Sequence, residues 1–247
     1  MTSDVPRNAI VAAFDAAAET YDSATPVQRE VARALVSRAA SLLTGPPRSI
    51  LDLGAGAGHV IGFARTQWPE VELTALDAAP AMLRRLRAKF PGVTTIARDA
   101  RQLEDLPRYD LILSSMMLHW LDDPRAALIA WRAHLAPGGL LCVAAPVEGS
   151  LREWRELTRA AGMEDAVWAF PPQDFAEGLG AEIHLSDFSA SYPDARAFLR
   201  ALKDAGAQKH RPGVKPAPAS AMRRILTKAN RNFNVTYRIG FIALGDS

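Results

Sequence analysis

A chain of 247 residues, 49% apolar and 23% charged, can bury a core of its own, and this composition excludes a disordered or collagen-like polymer. No apolar run reaches the length of a bilayer span, and the single cysteine, Cys142, excludes an internal disulfide and reads as a small core residue. The formal charge of +2 hides an asymmetry: Arg200 to Arg238 carries ten Lys or Arg and one acid, a local +9, which leaves −7 on the rest.

The N-terminal stretch carries an acid, Asp4, where a secretory signal needs a basic region, so a soluble cytoplasmic protein is expected. Phe14 and Tyr21 come next in "AFDAAAETYD", a short helix suited to fold over a pocket as a lid. In "TPVQREVARALVSRAASLL" the residues Val31, Leu35, Ala39 and Leu42 share one helical face, and Thr25 to Gln28 reads as a capping box. "RSILDLG" is a buried strand, "HVIGFARTQW" a helix stopped by Pro69, and "VELTALDA" the next strand. "PAMLRRLRAKF" opens on Pro80 as a helix, "VTTIARDA" and "YDLILSSM" are strands, and Asp123 caps "PRAALIAWRAHL". Pro137-Gly138-Gly139 predicts a turn into a fifth strand, "LLCVAAPV". After Ser150 come a helix "LREWRELTRAAG", a strand "AEIHLSDFSASY", two helices and a last strand "VTYRIGFIALG".

Strand–helix alternation of this kind predicts a parallel sheet covered on both faces. The expected fold is a single α/β domain: a Rossmann-like doubly wound sheet of about seven strands, mostly parallel with an antiparallel C-terminal strand. Residues 1–44 would form the helical lid, 48–150 the ligand-binding core, and 151–247 the substrate-side helices and last two strands. Five scattered histidines lack ligand spacing, so no metal is expected.

The glycines of "SILDLGAGAGH" carry the first functional signal. They stand where a parallel strand turns into a helix, at the sheet edge where such folds bind ligands, and they let a ligand touch the backbone. Asp77, nineteen residues beyond Gly58 at the end of the second strand, can accept hydrogen bonds from both hydroxyls of a ribose. Gly54, Gly56 and Gly58 have a G-x-G-x-G spacing, shorter than the dinucleotide fingerprint, which argues against NAD; the Lys-Ser/Thr pair of a P-loop is missing. A nucleoside is indicated.

Five pieces in order, "LDLGAGAG", "LDAAPAML", "ARDARQL", "YDLILSSMMLHWL" and "LAPGG", resemble the class I S-adenosylmethionine-dependent methyltransferases. The resemblance implies S-adenosyl-L-methionine as cofactor, with Gly54, Ala55, Gly56 and Gly58 along its methionine part and Asp77 and Ala78 at the ribose. It further implies Met82 against adenine, Asp99 with the Ala100 amide at the adenine edge, and Ser114 near the amino group. A carboxylate acceptor needs no base, because its reference pKa is about 4, but it needs donors that orient it. Enzymes that methylate small carboxylic acids use a Gln and a Trp for this purpose, and Gln28 and Trp120 stand at comparable places. Gln28 serves equally well as the capping-box partner of Thr25. Tyr21 and Phe14 offer ring faces to a sulfonium.

The pattern Phe14, Ala17-Ala18, Tyr21-Asp22, Gln28-Arg29 resembles the malonyl-acyl-carrier-protein O-methyltransferases of the biotin pathway. So do "GSLREW", the Leu202 to Ala207 element of form LK-x-x-GA, and "TYRIGFIAL". That resemblance implies methylation of a malonyl carboxylate held on an acidic acyl carrier protein, which the basic segment would meet; neither nucleic acid nor membrane is an expected partner. The family's Asn-Arg-Phe stretch aligns with Trp168-Ala169-Phe170, so the arginine is absent, Phe170 remains as a pocket wall, and Lys203 or Arg211 are the replacement cations. Two alternatives stay open: a methyltransferase of a free acid, resembling the trans-aconitate type, and a cofactor-binding assembly factor linked to protein arginine hydroxylation.

Overall fold

The computed structural model describes residues 7–163, 169–207 and 218–246; Trp168 and Arg211 lie outside the described residues. Seven strands form one sheet: β1 (Ser49–Leu53), β2 (Glu72–Asp77), β3 (Thr94–Ala97), β4 (Tyr109–Ser115), β5 (Leu135–Pro146), β6 (Glu182–Tyr192) and β7 (Phe233–Gly245). Their order is β3-β2-β1-β4-β5-β7-β6. The first five are mutually parallel, and β7 runs antiparallel to both β5 and β6. The order reverses between β1 and β4, and this opens a crevice at their C-terminal ends.

Period-2 alternation divides the core. Ile50, Leu111, Leu113, Cys142 and Ala144 face one layer, while Leu51, Leu53, Ile112, Leu141 and Val143 face the other. The first layer is closed by α3 (Pro26–Leu42), α4 (His59–Gln67), α7 (Arg152–Ala160), α8 (Ala195–Asp204) and α9 (Ala219–Lys228). On α3, Val27, Val31, Ala32, Leu35, Val36 and Ala39 are buried, one stripe of an amphipathic helix. The second layer is closed by α6 (Pro124–Arg132), whose Leu128 and Trp131 are fully buried; Asp123 caps it, accepting the Ala126 N–H at 2.9 Å. Beside β2 and β3 lies α5 (Pro80–Lys89).

Three local expectations change. The N-terminal helix is two, α1 (Arg7–Ala17) and α2 (Tyr21–Ala24). Thr25 makes no side-chain cap on α3, because its hydroxyl turns back to donate to the Tyr21 carbonyl at 2.6 Å and meets His59 Nε2 at 3.0 Å. The capping-box alternative for Gln28 therefore fails at its first partner. Pro137-Gly138-Gly139 is a bulge inside β5 and not a turn before it: Tyr109 pairs with Leu135 but Leu111 with Leu140. Gly138 sits at φ +76°, and a Cβ on Gly139 would lie 2.7 Å from the Ala136 carbonyl, so glycine is needed to fold the extra residues in. Among the described residues, no helix is long and apolar enough to cross a membrane.

Candidate functional site

The crevice opens into a cavity of about 750 Å³. One end is the glycine loop. Gly54 N–H and Ala55 N–H donate to the Leu76 carbonyl at 2.9 and 3.0 Å, which bends the chain over the end of β2. Gly54 lies at φ +72°, and a Cβ there would come within 2.4 Å of Met117 Cγ, so the turn admits only glycine. Gly54 and Gly56 border the cavity. Gly58 does not: it heads α4 at φ +92°, packed against the Phe90 ring. Ala55 is likewise turned into the core, beside Ile61 and Leu83.

Asp77 stands at the end of β2 and is fixed by the loop it faces. Its Oδ2 accepts Gly56 N–H and its Oδ1 accepts Ala79 N–H, both at 2.8 Å. Burial raises its pKa, and these bonds oppose the rise. The carboxylate also lines the cavity, a position suited to two vicinal hydroxyls. Ala78, Met82, Asp99 and Ala100 complete this wall. Asp99 is held by Arg101, whose backbone N–H and guanidinium both donate to it, and the Ala100 carbonyl accepts the Trp131 indole N–H at 2.8 Å.

Ser114 is buried and donates to the Leu53 carbonyl at 2.8 Å, away from the cavity. Its neighbour Ser115 lines the cavity instead, with a buried hydroxyl that has no hydrogen-bond partner among the described residues. Asp52 was not singled out in the sequence. It is 1% exposed, both carboxylate oxygens lack a hydrogen-bond partner among the described residues, and burial with the nearby Asp77 charge pushes its pKa well up. The signal was there: an acid inside an otherwise apolar strand.

The other end is aromatic. Phe14 meets Trp120 edge-on at 5.7 Å and Tyr21 at 6.5 Å; Tyr21 stacks on His59 at 5.7 Å and lies over Gly56. His119 packs against Trp120 at 4.8 Å and Phe170 at 5.6 Å. Trp120 and His119 come from a 3₁₀ turn, Leu118–Trp120, directly after β4. Desolvation pushes His119 down to about 3, so its imidazole is neutral at physiological pH. Desolvation, with Asp77, Asp22 and Asp52 nearby, raises the Tyr21 phenol far above its usual range, so it keeps its proton. Behind Phe170, the Arg155 guanidinium of α7 sits 5.6 Å over the ring. It brings a cation to the wall that Ala169 leaves without one, from a helix the sequence did not connect to it. Gln28 is half-buried on α3 and does not line the cavity.

A buried carboxylate and a half-buried one, both with pKa raised by desolvation, a buried serine hydroxyl and a glycine backbone ask for a ligand carrying hydroxyls and positive charge. The residues that line the crevice fit S-adenosylmethionine: the Asp77 carboxylate suits ribose hydroxyls, Ser115 brings a hydroxyl, and Phe14, Tyr21 and Trp120 bring ring faces suited to a sulfonium, with Asp52 close by but off the cavity wall.

A family model described as a methyltransferase domain matches residues 24–230. The chain is 32% identical to the biotin biosynthesis bifunctional protein BioCD of Bordetella avium, over 98% of this chain and 53% of that longer protein. It is also 32% identical to the malonyl-[acyl-carrier protein] O-methyltransferase of Laribacter hongkongensis, over 81% of this chain and 74% of the relative. Among solved structures, the plantazolicin methyltransferase BpumL, in complex with SAH, shares the fold with a TM-score of 0.55 at 16% identity, covering 91% of this chain and 87% of that one.

Proposed function

Because the chain belongs to the malonyl-[acyl-carrier protein] O-methyltransferases, we propose that it methylates the free carboxylate of a malonyl group held on an acyl carrier protein, in biotin-precursor synthesis. The donor, S-adenosylmethionine, supplies an electrophilic methyl on a sulfonium; as a carboxylate oxygen takes it, sulfur leaves as a neutral thioether and no proton moves.

The observation that supports a carboxylate acceptor is the protonation of the aromatic end. Tyr21 keeps its proton, and His119, at about 3, is too weak a base to strip an amine or alcohol near neutrality. A carboxylic acid arrives already ionised. The chain then has only to orient it and exclude water, which the rings of Phe14, Trp120 and Phe170 do while the Trp120 N–H offers a donor. Asp77 holds the ribose, Gly54 and Gly56 border the methionine part, Met82 faces adenine, and Asp99 with Ala100 reads its edge. Gln28 has no part in this reading.

Purified protein given methyl-labelled donor should place label in a base-labile ester on malonyl-carrier protein. Label only on a free diacid, or none at all, would refute the proposal. Trp120→Phe keeps a ring and deletes the donor; turnover should fall roughly tenfold or more while S-adenosylhomocysteine affinity holds. Intact turnover would exclude the indole from carboxylate binding.

The basic segment meets the carrier. Arg200 and Lys203 on α8 and Arg223 and Lys228 on α9 are exposed, on two helices packed together. Reversing Arg223 and Lys228 to glutamate should raise KM for the carrier-bound substrate about tenfold at low salt. KM for malonyl-pantetheine should stay unchanged, and an equal rise for both would exclude docking there.

A further inference from the structure

The Leu202–Ala207 element of form LK-x-x-GA does not line the ligand cavity, yet it is built against the backbone of the cavity's N-terminal wall. It ends α8 with a left-handed glycine: Gly206, at φ +73°, donates to the Lys203 carbonyl and Ala207 to the Leu202 carbonyl, both at 2.9 Å. The glycine permits a backbone-to-backbone contact. A Cβ on Gly206 would stand 2.9 Å from the Ala13 carbonyl oxygen and 3.0 Å from Phe14 Cα. Further along that wall, Thr20 Oγ1 donates to the Asp204 carbonyl of α8 at 2.6 Å in preference to the Ala17 carbonyl of α1, which lies farther away at 3.1 Å.

We propose that the C-terminus of α8 is the seat that sets the height of α1 and α2 over the cavity, with Gly206 and Thr20 as positioning residues for Phe14 and Tyr21. On its other side the same wall is anchored to α5. Asp15 Oδ1 accepts Ala81 N–H at 2.6 Å, and Asp22 pairs with Arg85 at 2.9 Å and Lys89 at 2.7 Å. The α5 anchors are mostly ion pairs on long side chains, which yield readily; the α8 seat is backbone against backbone, which does not. The seat therefore fixes the Phe14 backbone against α8, while Val11, Phe14 and Ala18 pack on Ala79 and Met82 on the other side. Phe14 transmits that position to Trp120 and Tyr21 through its ring contacts, and Tyr21 lies over Gly56. The inference rests on the proposed function only in taking this cavity as the transfer site; the carrier and the acceptor do not enter it.

The test uses the whole protein and two readouts that involve no acceptor: amide hydrogen exchange of residues 10–24, and the dissociation rate of S-adenosylhomocysteine. Thr20→Val, which keeps the shape and deletes the donor, should raise both about threefold, and Thr20→Ser should restore them. Gly206→Ala, strained by its φ and by the Ala13 contact, should raise both about tenfold or more. The melting temperature of Thr20→Val should stay close to that of the parent, while the strain in Gly206→Ala should lower its own by several degrees. If Gly206→Ala does not fold, the valine and serine pair still decides the matter. Unchanged exchange and dissociation in Thr20→Val, or equal effects of valine and serine, would overturn the proposal. A parent enzyme that releases S-adenosylhomocysteine normally but labels no malonyl-carrier protein would refute the acceptor assignment and leave the seat standing.

Discussion

Asp77→Ala is expected to weaken S-adenosylhomocysteine binding at least about a hundredfold, because a carboxylate bonded to two hydroxyls contributes about 1.5–3 kcal/mol per bond. The loss has a second source. The same carboxylate holds Gly56 N–H and Ala79 N–H at 2.8 Å, so its removal also frees the loop that borders the ligand. Asp77→Asn should fare little better, since one of its two oxygens becomes an NH₂ group facing a backbone N–H. Calorimetry with S-adenosylhomocysteine measures all three proteins. Affinity within about threefold of the parent in either variant would mean that the ribose lies elsewhere.

Asp52→Asn should stabilise the ligand-free protein at alkaline pH while weakening the grip on S-adenosylmethionine. An unpartnered carboxylate, buried and close to Asp77, has its folded pKa well above the unfolded value near 4. A raised pKa means that the folded state prefers the protonated acid. The favourable contribution is complete below the unfolded pKa and is lost as pH rises through the folded one; above it the fold carries a buried anion. The asparagine removes that penalty, so the variant should gain about 1–3 kcal/mol, several degrees in Tm, at pH 8 and little at pH 5. Bound donor should narrow the difference, because its added positive charge favours the ionised carboxylate. Melting curves at both pH values, with and without donor, provide the check. A pH-independent difference between the two proteins would show that Asp52 is not the titrating group.

Much of the framework was legible in the chain, and the misses share a cause. Asp77 and the glycine turn are local: a buried strand, a bend that needs positive φ, and an acid at the next strand's end are all written within thirty residues. Ser114 and Ser115 differ only in which face of β4 each occupies, and that parity is set by pairing with β1 and β5, which a single sequence does not state. Gln28 fails for a related reason. Its helix was legible, but the rotation of α3 is fixed by Val31, Leu35 and Ala39 seeking the sheet, and this leaves Gln28 off the cavity wall. Arg155 reaches Phe170 across a fold-level contact between α7 and the segment after it, so no spacing announces it. Asp52 is the one omission that local reasoning could have avoided. An acid among Ile50, Leu51 and Leu53 on a central strand costs several kcal/mol to bury, and function is the usual reason for it.

The placement of β7 bears on how the molecule is made. During synthesis the ribosome delivers residues 233–245 after all of the other strands, yet they slot between β5 and β6. Until they emerge, β6 has no neighbour on either edge, and β5 presents a bare, apolar margin. The nascent chain can assemble the donor-binding crevice early but must hold its last third open, exposed to misassociation, until the final strand arrives to zip both margins at once.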